Sequence, residues 1–181
     1  MNVETLHAIY QIKIQLRGIK PPIWRRLLIK NTTHLAELHL LIQIAMGWEH
    51  RHMHQFVHAG VRYGEAEGMR DSLDARINQF LKEPKDSLLY EYDFGDGWQH
   101  DVILEKRLPF EPEAVLPVCI GGKRACPPED IGGIPGYEMC MAALANPDDP
   151  GNEEFLEFVV EDFLPESFSA DGVNEEFREL W

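Results

Sequence analysis

The chain has 181 residues, 44% of them apolar, which is enough for one domain with its own core. Its formal charge is −14, and residues 129–181 carry all of it, with 15 acidic residues against Arg178 alone. Such a balance disfavours phosphate backbones and anionic membranes, and no apolar run approaches the roughly 18 residues of a membrane span.

Tyr10, Ile12, Ile14 and Leu16 alternate with Gln11, Lys13 and Gln15, the period of a half-buried strand. Gly18 to Pro22 reads as a turn, and Ile23 to Ile29 returns as a second strand, so the two form a hairpin. On the second strand, Trp24 and Arg26 face one way, and Ile23, Arg25, Leu27 and Ile29 the other. A helix follows: Thr33 is placed to cap it, Leu35, Leu38, Ile42, Ala45 and Met46 recur at helical spacing, and Gly47 can take the left-handed stop. His52 to Val57 reads as a third strand. Residues 60–87 are mixed and polar, with a short helix expected over Asp71–Lys82.

Leu89 to Phe94 and Trp98 to Glu105 both alternate, and Asp96-Gly97 between them suits a two-residue type I′ turn. That loop pairs Asp93 with His100, which places their Cβ atoms on one face roughly 5 Å apart. Pro109 to Gly136 reads as loop, with five Gly and three Pro between Gly121 and Gly136. Tyr137 to Ala145 is helical by composition, Asn152 is placed to cap a helix through Leu164, and Asp171 a last one ending near Trp181. Strands first and helices late predict an α+β fold: a mixed or antiparallel sheet of two hairpins plus a third strand, helices on one face, and an acidic helical region over 137–181, all in one domain.

Three clusters could carry chemistry. His52 and His54, at i and i+2 on a strand, can ligate one ion with Asp93 and His100, a set suited to a divalent transition metal. Asp93, His100, Glu129 and Asp130 are the candidates for acid–base work. Trp24, Arg25 and Arg26 could stack a base and hold a phosphate, and with Trp48, Tyr92 and Trp98 they are the candidate ligand-binding residues. The Gly/Pro loop ends at a helix start that could hold an anion, although no phosphate-loop motif is present. Cys119, Cys126 and Cys140 are odd in number and lack C-x-x-C, which argues against a disulfide framework and a zinc finger. Residues 1–5 show no basic run before an apolar core, so a cytoplasmic location is expected.

Several blocks follow one another along the chain: Pro21-Pro22-Ile23-Trp24-Arg25-Arg26, Leu35 to His39, Gly47-Trp48, His52 to Phe56, Tyr90 to His100, Gly121-Gly122, and Cys126 to Gly133 through Tyr137. In this order the chain resembles the plasmid pRiA4b ORF-3-like family from about Tyr10 onward. The resemblance implies an association with plasmids and mobile elements, where some members are labelled resolvase-like transposon proteins. It implies no particular activity. A serine recombinase needs a nucleophilic serine among arginines, and Ser72, Ser87, Ser167 and Ser169 are not so placed.

The expectation that asks least of these residues is a non-catalytic module. It binds a protein or small ligand in a cleft between the 90–104 hairpin and the 121–137 Gly/Pro loop. The alternatives are a metal-dependent hydrolase, such as a phosphoesterase or nuclease, using His52, His54, Asp93 and His100, and a nucleic-acid accessory protein. Non-specific nucleic-acid binding is disfavoured by the charge.

Overall fold

A computed structural model describes residues 7–158 and 163–180. Its strands are β1 (Ala8–Leu16), β2 (Trp24–Lys30), β3 (His54–His58), β4 (Val61–Tyr63), β5 (Ser87–Tyr92), β6 (Trp98–Pro109) and β7 (Val118–Lys123). Its helices are α1 (Leu35–Met46), α2 (Gly133–Ala145), α3 (Glu153–Phe158) and α4 (Ala170–Leu180). The strands form one open sheet in the order β4-β3-β5-β6-β1-β2-β7, every neighbouring pair antiparallel. This is an α+β fold.

Period-2 alternation sorts the sheet into two faces. Tyr10, Ile12, Ile14 and Leu16 of β1 are buried on the inner face with Leu27, Tyr90, Trp98, Val102 and Leu104. Leu38 and Ile42 of α1, Tyr137 and Cys140 of α2, and Val173 and Phe177 of α4 join the same core. Each such side chain contributes about 1.5–3 kcal/mol by leaving water. The outer face is polar: Arg26 binds both carboxylate oxygens of Glu105 at 2.5 and 2.8 Å, and Gln11 donates to the same carboxylate at 2.7 Å.

The first hairpin and α1 form as their periodicity predicts, with Gly47 in the left-handed region at φ 94°. The cap position is His34 rather than Thr33. Several expectations fail for local reasons. Asp71–Lys82 holds only a 3₁₀ turn at Ile77–Gln79, because the Asp71 carboxylate accepts from the Leu73 N–H and diverts the backbone into a turn. The three-residue β4 lies in the same mixed stretch. Within the expected 109–136 loop, β7 pairs as an edge strand with β2, and its glycines mask the strand signal. Gly122 is needed there, since a Cβ would sit 2.6 Å from the Phe168 ring and 2.9 Å from the Trp24 carbonyl.

Helix α2 starts at Gly133, four residues before Tyr137, and α3 begins after a 3₁₀ turn at Pro150–Asn152. Phe163 and Leu164 are not helical, and residues 159–162 of the expected 152–164 helix lie outside the described residues, as does Trp181. The last helix opens at Ala170, where Ser169 Oγ accepts from the Gly172 N–H at 3.1 Å, so Ser169 takes the capping role expected of Asp171.

Candidate functional site

The β5–β6 connection decides what the site can be. Tyr92 pairs with Trp98 and Tyr90 with His100, leaving a five-residue loop from Asp93 to Gly97 in place of the expected two-residue turn. Asp93 adopts φ 56°, its Oδ1 accepts from the amides of Gly95 (2.9 Å) and Asp96 (3.3 Å), and its carbonyl accepts from Gly97 N–H at 2.6 Å. This side-chain-to-backbone bonding closes the chain early and moves the register by three residues. An odd shift exchanges faces. His100 therefore turns into the core opposite Tyr90, and the expected Asp93–His100 pair does not exist.

His100 is fully buried, edge-on to Trp48 at 5.3 Å, and neither ring nitrogen has a hydrogen-bond partner within the protein. Burial pushes its pKa down to about 3. The four-ligand set His52, His54, Asp93 and His100 is thus divided among three places.

One group forms where the 93–97 loop meets the 127–133 segment. His52, in the bend before β3, brings Nε2 to 3.1 Å from Asp130 Oδ1 and to 3.7 Å from both Asp93 Oδ2 and Glu129 Oε2. Neither His52 Nε2 nor Glu129 Oε2 makes a hydrogen bond within the protein. Glu129 is held by its other oxygen, which accepts from the Glu49 N–H at 2.9 Å and from Tyr92 Oη at 3.0 Å. Burial first, and then the neighbouring Glu129, lift Tyr92 to about 12. Asp93 and Asp130 both have left-handed backbones, at φ 56° and 55°, a conformation that persists in non-glycine residues only when the surroundings enforce it.

The same junction explains the Gly/Pro loop. Gly132 N–H donates to Asp96 Oδ2 at 3.1 Å, so the start of α2 does hold an anion, the carboxylate of the hairpin loop. A Cβ on Gly133 would lie 2.5 Å from the Asp96 carbonyl, and one on Gly136 would lie 1.7 Å from the Ile131 carbonyl. The hairpin tip and this loop are therefore in contact where an open cleft was expected. A cleft of about 430 Å³ lies on the far side of the loop, between the C-terminal end of α1, residues 125–129 and the Phe163–Glu176 segment.

A second group lies inside. His39 of α1, His50 and His54 of β3 gather one ring nitrogen each within 4.8 Å of one another. Sequence reasoning passes over His39 and His50 as candidates. The available signal is that His39 follows Leu38 on the apolar side of an amphipathic helix, a position where an imidazole needs a reason.

The ligand-binding candidates separate. Trp48, Tyr92 and Trp98 pack together in the core, with Trp48 5.0 Å from Tyr92 and 6.1 Å from Trp98. Trp24 lies across the sheet beneath Lys13 and Arg26. Arg25 is buried on the inner face, donating to the carbonyls of Ala45, Trp24 and Lys123 and stacking 4.2 Å above Phe168. Arg25 and Arg26 thus point to opposite faces, and the joint base-and-phosphate site expected of Trp24, Arg25 and Arg26 is not formed. The three thiols are free, and burial raises the pKa of each.

Fold and site together define an open antiparallel α+β domain with histidines and carboxylates gathered at one end of the sheet. A family model described as plasmid pRiA4b ORF-3-like protein matches residues 8–172. The chain belongs to that family. It is 34% identical over 157 residues to a protein of Sinorhizobium fredii (strain NBRC 101917 / NGR234) described as uncharacterized protein y4hQ, covering 83% of this chain and 80% of that one. It is also similar to a crystal structure of a protein of unknown function, MM3350 from Methanosarcina mazei Go1. That match has a TM-score of 0.82 and 34% identity, over 91% of this chain and 97% of the other. No helix among the described residues is long and apolar enough to cross a membrane.

Proposed function

We propose that the protein is a binding module that holds a divalent transition-metal ion at His52, Asp93 and Asp130, with Glu129 beside them, and presents it to a ligand at the rim where the two loops meet. The observation that carries this reading is the convergence of three carboxylates on one imidazole nitrogen that hydrogen-bonds to none of them. Two carboxylates about 5 Å apart repel by about 3 kcal/mol at an effective dielectric constant near 20. A protonated imidazole offsets one of these negative charges, and a divalent cation offsets two. One nitrogen with several carboxylate oxygens suits zinc, manganese or ferrous iron. The partly exposed His52 and the largely exposed Asp130 leave coordination positions open to a ligand.

A hydrolytic use of the same ion is the second reading, favoured by the left-handed backbones of Asp93 and Asp130, because stored strain concentrates where chemistry is done. The test is elemental analysis and calorimetric titration of untagged protein with zinc, manganese and ferrous iron. One ion lost in both His52→Ala and Asp93→Asn supports the reading, and wild-type protein that takes up no ion at this set ends it. Turnover of an activated phosphodiester, absent in Asp93→Asn, separates the hydrolase from the passive module.

A further inference from the structure

Behind the carboxylate group, the inner face of the sheet carries a polar arrangement made almost entirely of imidazoles. His39 and His54 are 2% and 5% exposed, and their rings stack in parallel with centroids 3.5 Å apart. His39 Nε2 directly faces His50 Nδ1. His54 Nε2 is buried and has no hydrogen-bond partner within the protein. A buried ring nitrogen left without a partner, as His54 Nε2 is, costs about 1–3 kcal/mol, and it lies beside a ring nitrogen each of His39 and His50.

Their surroundings are already arranged. The Gln43 side chain is fixed by the His50 N–H, which donates to its Oε1 at 2.9 Å, so its amide nitrogen donates to Tyr90 Oη, also at 2.9 Å. Tyr90 Oη in turn lies 2.7 Å from His39 Nδ1. A histidine that ligates through one nitrogen is normally held by a hydrogen bond at the other, and His39 has that bond in place. His50 adopts φ 55°, so its ring is delivered to the cluster by an enforced backbone conformation.

We infer that His39 Nε2, His50 Nδ1 and His54 Nε2 form an all-nitrogen site for one zinc-class transition-metal ion, separate from the His52 carboxylate group. The donor set excludes magnesium and calcium, which take oxygen ligands, and suits zinc or cobalt(II) at nitrogen distances near 2.0–2.1 Å. With the ion on Nε2, the remaining His39 proton sits on Nδ1 and is donated to Tyr90 Oη. Ligation turns the His54 ring out of its stack about the soft terminal torsion. The exposed side of His50 admits a water as fourth ligand, completing a tetrahedron of three histidines and one open position. This site does not rest on the outer carboxylate reading.

The test uses full-length, untagged protein stripped with a chelator and titrated with cobalt(II) and zinc. Wild-type protein should develop the intense visible bands of tetrahedral cobalt(II), and His50→Ala should weaken binding at least ~10-fold while leaving the fold intact, since His50 is an exposed loop residue. Gln43→Ala should weaken binding by a similar ~10-fold, because it releases both Tyr90 and the His50 backbone. Nitrogen-15 spectra of the wild-type imidazoles should move for three rings on adding zinc, a reading that needs no variant to fold. A cobalt spectrum unchanged in His50→Ala, or binding abolished by His52→Ala and Asp93→Asn alone, overturns the inner site and leaves the outer one standing. Binding that survives those two substitutions and is lost in His50→Ala has the opposite meaning. No uptake at all removes both.

Discussion

Two regions that read alike in sequence behave differently in the fold. The β2 patch of Trp24, Arg25 and Arg26 and the segment from His50 to His54 both mix rings with polar groups. In the first, Arg25 reaches three carbonyls, Arg26 takes both oxygens of Glu105, and Trp24 lies under Lys13 and Arg26. In the second, His52 Nε2 and His54 Nε2 are left without hydrogen-bond partners within the protein, as is the Glu129 Oε2 that faces His52. A polar residue whose groups are all satisfied from within is explained by the fold. One with unsatisfied buried groups gathered beside other possible ligand atoms, as at His52 and His54 and unlike His100, points to a ligand.

The contrast can be broken where it is strongest. Arg25→Ala removes three hydrogen bonds and the stack on Phe168, and should cost about 3 kcal/mol of unfolding free energy in urea with the m-value unchanged. A loss below about 1 kcal/mol would mean that Arg25 is held for something other than structure. On the other side, a saturating ion should stabilise the protein. At 100 times its dissociation constant zinc adds about 2.7 kcal/mol per site, read as a rise in melting temperature, and Asp93→Asn should remove the part due to the outer site.

His100 sharpens the comparison through pH. Its folded pKa is about 3 and its unfolded value 6.5, so the unfolded chain takes up the proton first and stability falls as pH drops below 6.5. Between pH 7 and pH 5 this residue alone costs about 2 kcal/mol. His100→Leu should remain within about 1.5 kcal/mol of wild type at pH 7 and lose correspondingly less on acidification, measured by urea unfolding at both pH values. Equal acid sensitivity would show that His100 is not held neutral. The smallest effect is expected of Arg26→Ala, below about 1 kcal/mol, because its pair with Glu105 lies on the solvent face of the sheet.

Much of the scaffold follows from local periodicity. The alternation in Tyr10–Leu16 and Ile23–Ile29, the helical spacing of Leu35–Met46 and the stop at Gly47 depend on neighbours a few residues apart, and each reappears in the fold. The edge strand β7 was hidden because Gly121 and Gly122 answer to Trp24 and Phe168, which are remote in sequence. The hairpin was legible as a hairpin, but its register turned on one carboxylate choosing two backbone amides. That three-residue shift separated Asp93 from His100 and carried Asp93 to His52, Glu129 and Asp130.

From its residues alone, then, this chain determines a half-buried antiparallel sheet, a covering helix and a concentration of histidines and acids in the right segments, because hydrophobic period and turn chemistry act over short distances. Tertiary structure decided which imidazole met which carboxylate, and drew His39 from a helix to His50 and His54. Face and depth are set by register and packing between strands far apart in the chain, and no local pattern encodes them.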